Sequence, residues 1–108
     1  LKPQAFDATG FIMLSAGIYI ITYNEVVSLP KDVMALAAHR SSLLRCGVSI
    51  GTAVWDAGYS GRSQSLMVVH NPMGFSVQKN ARMIQLVFFR LTEETEGYSG
   101  AYQGENIK

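Results

Sequence analysis

The chain has 108 residues, which is enough for one domain and little more. A hydrophobic fraction of 48% supplies apolar side chains for a packed core, and a domain this small gains stability by associating with other chains. The formal net charge of +1 gives no global attraction to nucleic acid or to a membrane surface, so we expect neither as a partner.

Cys46 is the only cysteine in the chain. One cysteine excludes an intrachain disulfide and a cysteine-based zinc site. This usage is typical of a reducing, intracellular setting, and we expect a cytoplasmic protein. The apolar runs are far shorter than the roughly 20 residues that a membrane-spanning helix needs.

Short β-rich runs begin the chain. Phe11–Leu14 and Gly17–Thr22 predict two strands, and residues 29–32 predict a turn. The alanines of residues 33–38 favour helix, but the run is short and follows a proline, so we predict a buried strand with small residues where another segment packs closely. Residues 41–47 predict a short helix, with a serine capping its start and Gly47 ending it.

The second half of the chain continues the β pattern. Strands are predicted at residues 48–54, 65–70, 75–78 and 83–89, with turns at 56–61, 71–74 and 79–80. Turn signals recur about every 8–12 residues, which is typical of β-sandwiches and barrels. We therefore predict an all-β sandwich or barrel with one short helix over residues 1–91, and a polar C-terminal arm over residues 92–108.

Arg40, Ser41 and Ser42 stand at the start of the predicted helix. The free N–H groups and partial positive charge of a helix start suit phosphate, and two hydroxyls and a guanidinium add donors. Arg45 lies one turn later, where it can face the same way. The local pattern alone favours an ordinary capped helix with two solvated arginines, and a phosphate site stays open as the alternative.

Asp56 lies in the predicted turn at residues 56–61, directly after Trp55. A carboxylate in a tight turn can act as a general base on water. The alternative is an Asx-type turn, which is common for aspartate near glycine. His39 and His70 have no spaced partner that would indicate a metal site.

The order of these pieces is more informative than any one of them. The ordered stretches are residues 40–48, 55–61, 71–75, 81–88 and 97–104. Together they resemble the dUTPase / dCTP deaminase superfamily over roughly residues 14–104, and they look most like the archaeal-type dUTPases. The resemblance implies a distorted jelly-roll β-fold and a homotrimer with sites between subunits.

The resemblance also implies an activity, the Mg²⁺-dependent hydrolysis of dUTP to dUMP and pyrophosphate. By the same resemblance, Ser41 and Ser42 contact phosphates with support from Arg40, and Asp56 orients the attacking water. Tyr59 matches a tyrosine that packs under deoxyribose, Gln85 a glutamine that reaches the phosphates, and Arg45 a second arginine of the motif. Mg²⁺ is expected on the substrate phosphates, without a protein metal site, and uracil is expected to meet backbone groups after Asp56.

Two features depart from the superfamily patterns. The tail at residues 97–106 resembles that of the deaminases and lacks the Gly-rich arm with Arg and Phe that closes classical dUTPases. Val68 stands where a dCTP deaminase has its proton-shuttling glutamate, and no glutamate lies between residues 26 and 92. A valine cannot move a proton, so dUTP hydrolysis is the favoured prediction. A deaminase, a bifunctional enzyme and a non-catalytic nucleotide-binding relative stay open as alternatives.

Overall fold

The structure is a computed structural model that describes residues 3–107. Within those residues it contains nine strands and one helix. In chain order they are β1 Phe11–Leu14, β2 Gly17–Thr22, β3 Val27–Ser28, β4 Val33–His39, α1 Ser41–Arg45, β5 Val48–Gly51, β6 Ser60–Gly61, β7 Gln64–Val69, β8 Phe75–Gln78 and β9 Ile84–Arg90.

The strands pair in small sheets. β1 is antiparallel to β8, with Leu14 opposite Phe75. β2, β7 and β5 form a three-stranded sheet in that order, in which β5 is antiparallel to β7 and Val48 stands opposite Val69. β3 is antiparallel to β6, and β4 pairs with β9. The prediction of an all-β chain with one short helix is confirmed, whereas closure into a jelly roll or barrel stays a prediction.

The described residues divide into two compact units. The first consists of residues 3–21, 38–51 and 66–85. Its core contains five buried apolar side chains, Leu14, Leu43, Val48, Met67 and Val69. Met67 and Val69 alternate with more exposed neighbours along β7 because successive side chains of a strand point to opposite faces. Each contributes about 1.5–3 kcal/mol by its burial.

The second unit consists of residues 22–37, 52–65 and 86–107. Ala35 is fully buried there, and its backbone exchanges two hydrogen bonds with Trp55, at 2.9 and 3.0 Å. The strand predicted at residues 33–38 is therefore confirmed, but its burial is confirmed only at Ala35, because the other residues of β4 are half-buried or exposed. Trp55, Ala57 and Tyr59 are buried in the same unit, on either side of Asp56 in the sequence.

Helix α1 corrects one local prediction. The residue that caps its start is Arg40, in an extended conformation, and no side chain caps the first turn. The predicted serine cap is wrong because Ser41 is already the first helical residue. Gly47 follows the helix at φ +76°, a left-handed conformation that glycine adopts without strain, so the predicted end of the helix is confirmed.

Other boundaries moved for simple reasons. The strand predicted at residues 48–54 ends at Gly51. Strands β3 and β6 were not predicted, because each has only two residues and two residues show no periodicity. The division into a domain of residues 1–91 and an arm of residues 92–108 stays a prediction. Across residues 3–107, the chain forms no helix of the length and apolarity that crossing a bilayer requires.

Candidate functional site

The segment at residues 56–62, called the Asp56 loop below, begins with a tight turn. The Tyr59 N–H donates to the Asp56 carbonyl over 3.0 Å, which closes the turn. Gly58 is its third residue and has φ +82°, a conformation that the type II pattern requires at this position and that glycine adopts freely. The turn is therefore built by backbone hydrogen bonding, and the Asp56 side chain is not needed to form it.

The Asp56 carboxylate is exposed and accepts no hydrogen bond from any group within residues 3–107. Asp7 shows what a structural aspartate does in this chain. Its Oδ1 accepts from the N–H and hydroxyl of Thr9 and from the N–H of Phe11, and these bonds lower its pKa. Asp56 does not behave in this way, so the Asx-turn alternative for Asp56 is wrong and its carboxylate is available to solvent or ligand.

Tyr59 is held from both ends. Its side chain is 6% exposed, and its ring packs edge-on against Tyr98 at a centroid distance of 5.6 Å. Its hydroxyl donates to Glu105 Oε2 at 3.2 Å and lies 3.1 Å from Ser63 Oγ, which also accepts from Trp55 Nε1. Burial raises the pKa of the Tyr59 phenol, so it stays protonated at neutral pH.

Asp56 and Tyr59 line one cavity of about 330 Å³ in the second unit. Other residues that line it include Trp55, Ser63, Tyr98 and Glu105. The cavity thus combines aromatic walls, hydroxyl groups and an unpaired carboxylate. This composition suits a flat or cyclic ligand with polar edges, because apolar walls with a few placed polar groups are the usual lining of a small-molecule site.

The C-terminal tail, residues 97–106, lies against the Asp56 loop. The Tyr98 N–H donates to the Ala57 carbonyl at 2.8 Å, the Gly104 N–H to the Ser60 carbonyl at 2.6 Å, and the Arg62 N–H to the Glu105 carbonyl at 2.7 Å. The Arg62 side chain donates further to the carbonyls of Asn24 and Asn106. The tail therefore supplies part of the wall of the cavity.

The predicted phosphate-binding residues all belong to the first unit. Leu43 anchors α1 in the core, and the backbone N–H of Arg40 donates to the Met83 carbonyl at 3.1 Å. The side chains of Arg40, Ser41, Ser42, Arg45 and Gln85 are exposed, and none has a hydrogen bond or ion pair in the described part of the chain. Arg40, Ser41 and Ser42 are consecutive at the start of α1, Arg45 ends it, and Gln85 lies on β9.

Sequence reasoning missed Trp55, Ser63, Tyr98 and Glu105 as parts of the cavity. For Tyr98 there was a signal, because residues 97–104 form one of the ordered stretches of the superfamily resemblance. Ser63 and Glu105 carried none, since a serine and a glutamate in polar segments are ordinary surface residues. Only folding places them at the Tyr59 hydroxyl.

Comparison with known proteins identifies the class. A family model described as dCTP deaminase-like matches residues 1–91. The chain belongs to this dCTP deaminase-like family, as the order of its motifs and its all-β fold indicated.

Individual relatives are more specific. A protein of Methanosarcina mazei named "probable deoxyuridine 5'-triphosphate nucleotidohydrolase" is 56% identical over 97% of this chain and 62% of its own length. A protein of Archaeoglobus fulgidus with the same name is 55% identical over 90% of this chain and 58% of its own length. The "deoxyuridine 5'-triphosphate nucleotidohydrolase" of Methanocaldococcus jannaschii is 40% identical over 86% of this chain and 58% of its own length. The chain thus spans less than two thirds of these curated relatives.

Proposed function

We propose that this chain belongs to a hydrolase that cleaves dUTP to dUMP and pyrophosphate. The observation that carries the proposal is the unpaired Asp56 carboxylate in one cavity with the buried Tyr59 ring. Membership of the dCTP deaminase-like family and the names of the archaeal relatives support this substrate. A single cysteine, Cys46, fits the proposed cytoplasmic setting.

In the proposed reaction a water molecule attacks the α-phosphorus, and the bond from that phosphorus to the oxygen bridging to the β-phosphorus breaks. Asp56 orients the water and accepts its proton, and pyrophosphate leaves with the bridging oxygen. An exposed carboxylate with no competing hydrogen bond within residues 3–107 is free to play this part. Holding the water in line with the breaking bond supplies much of the rate acceleration in phosphoryl transfer.

Tyr59 is the proposed sugar-selecting residue. Its ring lines the cavity, and its hydroxyl is engaged by Glu105 and Ser63, so the ring cannot swing aside. A deoxyribose can pack on such a fixed ring. The additional 2′-hydroxyl of UTP would lose its hydrogen bonds to water on packing against the ring and would gain no hydrogen-bond partner there. This desolvation cost disfavours UTP.

We propose that the triphosphate is bound by Ser41 and Ser42, with Arg40, Arg45 and Gln85, in sites shared between subunits. All five side chains are exposed and lack partners in the described residues, so their donors are available to an anion. Arginine matches phosphate oxygens with a planar pair of donors, and serine hydroxyls add single hydrogen bonds. Gln85 contributes an amide donor from β9.

Mg²⁺ is the proposed cofactor. Within residues 3–107, no three His, Cys, Asp or Glu side chains form a group that could hold a metal ion. A magnesium ion would therefore take its ligands from phosphate oxygens and water, which is its usual preference. Of the two carboxylates that line the cavity, only Asp56 has no hydrogen-bond partner within residues 3–107. Bound in that way it would neutralise charge on the triphosphate.

A homotrimer is the proposed assembly. Val87, Phe88 and Phe89 are exposed in succession on β9, and Leu36 is exposed on its partner strand β4. Since successive strand residues point to opposite faces, both faces of this pair expose apolar side chains. Ile18 and Ile20 expose a second apolar row on β2. Several exposed apolar side chains on strands are typical of subunit contacts.

The rival activity is deamination of dCTP, which the description of the family model brings forward. Val68 provides no proton shuttle, and Glu105, which lines the cavity, already accepts a hydrogen bond from Tyr59. The test is to incubate the purified full-length protein with Mg²⁺ and either dUTP or dCTP, and to measure pyrophosphate and ammonia. We expect pyrophosphate from dUTP and no ammonia from dCTP. Ammonia release would contradict the proposal, and nucleotide binding without any product would indicate a non-catalytic relative.

A further inference from the structure

We propose that Gln103 is a positioning residue for the Asp56 loop, acting from the C-terminal tail. This inference rests on the proposed function, because its consequence is measured in the hydrolysis of dUTP. Gln103 lies 43 residues after Ser60 in the chain, yet its carboxamide bonds directly to the backbone of the loop that carries Asp56 and Tyr59. Neither its role nor its contacts follow from the sequence pattern.

The carboxamide of Gln103 is satisfied at both ends. Its Oε1 accepts from the Ser60 N–H at 2.7 Å. Its Nε2 donates to the Gly58 carbonyl at 3.0 Å and to the Tyr98 carbonyl at 2.9 Å. Only an amide side chain offers an acceptor and two donors in this arrangement. The side chain therefore links Gly58 and Ser60, the two neighbours of Tyr59 in the loop, to each other and to Tyr98 in the tail.

The loop is shaped to receive the tail closely. A Cβ on Gly58 would lie 2.7 Å from the Gly97 Cα and 2.9 Å from the Tyr98 nitrogen. A Cβ on Gly61 would lie 2.6 Å from the Tyr59 hydroxyl oxygen and 3.1 Å from the Glu105 nitrogen. Both glycines thus leave room for tail backbone, and the loop and the tail fit as one folded piece.

Gln103 bonds to the loop without filling the cavity. The cavity of about 330 Å³ persists with the tail in place, and among residues 3–107 its lining includes Asp56 and Tyr59 but neither Gln103 nor Gly58. The carboxamide therefore acts on the backbone behind the cavity wall. The opposite interpretation is that Gln103 blocks the binding of the uracil base. A carboxamide presents an acceptor and a donor side by side, as uracil does, so it could occupy the backbone groups that the base would use. The open cavity favours positioning.

The first test compares Gln103→Ala with the unchanged protein in dUTP hydrolysis. Loss of three hydrogen bonds lets the loop move, and a misplacement of about 1 Å can cost about 100-fold, so we expect kcat/KM to fall about 10- to 100-fold. The matched control is Gln78→Ala, which removes an exposed glutamine from β8 in the first unit and leaves kcat/KM unchanged. Thermal unfolding of both variants checks that they are folded.

The second test uses Gln103→Glu, whose carboxylate keeps an acceptor for Ser60 but presents oxygens to the carbonyls of Gly58 and Tyr98. Protonation of that carboxyl restores one donor. We therefore expect the kcat/KM of Gln103→Glu, divided by that of Gln103→Ala, to rise as the pH falls from about 8 to about 5. The other titratable groups of the loop and tail are common to both variants and cancel in the ratio; they are Asp56, Tyr59, Arg62, Tyr98, Tyr102 and Glu105.

The outcomes separate this inference from the proposed function. If the unchanged protein releases no pyrophosphate from dUTP, the proposed function fails and the inference fails with it. If the unchanged protein is active, a Gln103→Ala rate that is unchanged or raised overturns the positioning role, and a raised rate indicates blocking. A pH-independent ratio of the two variants also overturns it, since a merely structural defect would not follow the protonation of residue 103.

Discussion

Asp56 and Asp7 show how two aspartates in one chain come to differ in hydrogen bonding. The Asp7 carboxylate accepts three hydrogen bonds from Thr9 and Phe11, and its pKa is lowered because those bonds favour the charged form. The Asp56 carboxylate has no such bond within residues 3–107, although its residue also begins a turn. In the sequence, Asp7 and Asp56 look alike, because each is an aspartate that precedes a turn. Both turns are closed by a backbone hydrogen bond, from the Gly10 N–H to the Asp7 carbonyl and from the Tyr59 N–H to the Asp56 carbonyl, so only the contacts of the carboxylates distinguish the two residues.

Tyr59 allows a prediction about the sugar of the substrate. The fixed ring disfavours a 2′-hydroxyl, so kcat/KM for dUTP should exceed that for UTP by about 100-fold, a typical discrimination against one added hydroxyl in an apolar pocket. The Tyr59→Phe variant keeps the ring and should keep this preference. It loses the hydrogen bonds to Glu105 and Ser63, at a cost of about 1 kcal/mol in unfolding free energy.

The measurement is the ratio of pyrophosphate release from dUTP and from UTP, for the unchanged protein, Tyr59→Phe and Tyr59→Ala. Removing the ring in Tyr59→Ala should bring the ratio towards one. Equal rates on the two nucleotides with the unchanged protein would show that Tyr59 does not select the sugar.

At the scale of elements, the longer strands and the helix could be predicted and the shortest elements could not. β2, β4 and β9 have six or seven residues each, so composition and turn signals sufficed to predict strands there. β3 and β6 have two residues each and exist through pairing with each other. The contacts of the tail on the Asp56 loop were out of reach for the same reason, since they join segments far apart in sequence and follow no period.

Gly58 lies where the Asp56 loop contacts the C-terminal tail, and its substitution directly tests how closely the two segments pack. In Gly58→Ala the new Cβ meets tail backbone at 2.7 and 2.9 Å in a conformation that L-residues rarely adopt. We expect the free energy of unfolding to fall by about 1–3 kcal/mol, measured by denaturant titration. The matched control is Gly51→Ala, since a Cβ there meets no atom within 4 Å and Gly51 lacks a positive φ. Equal stability of the two variants would contradict the close approach of loop and tail.

At the scale of the whole molecule, the exposed apolar side chains are the feature that a single chain leaves unexplained. Phe88 is 57% exposed and Ile18 is 61% exposed, and both lie on strands, where exposed apolar side chains invite pairing with another chain. The composition predicted a benefit from association, because a domain this small buries a limited share of its surface. The number of subunits came from the superfamily resemblance and could not be worked out from composition or pattern.

The homotrimer predicts a mass in solution of three times the 11.8 kDa of one chain, measured by light scattering. Phe88→Lys introduces a charge into the proposed contact and should shift the mass towards that of one chain. Met73→Lys is the matched control, since Met73 is 82% exposed in a turn and does not belong to the apolar strand pair. A monomeric unchanged protein, or the same mass for both variants, would contradict the proposed assembly.

The measurement that tests the central claim most directly is pyrophosphate release from dUTP by Asp56→Asn. Asparagine has the same shape but cannot accept the proton of the attacking water, so we expect kcat to fall about 10²- to 10⁴-fold while the mass in solution stays unchanged. The matched control is Glu94→Gln, which removes an exposed carboxylate outside the cavity and should keep full activity. If Asp56→Asn hydrolyses dUTP at a rate within about twofold of the unchanged protein, Asp56 is not the catalytic base and the proposed site is contradicted.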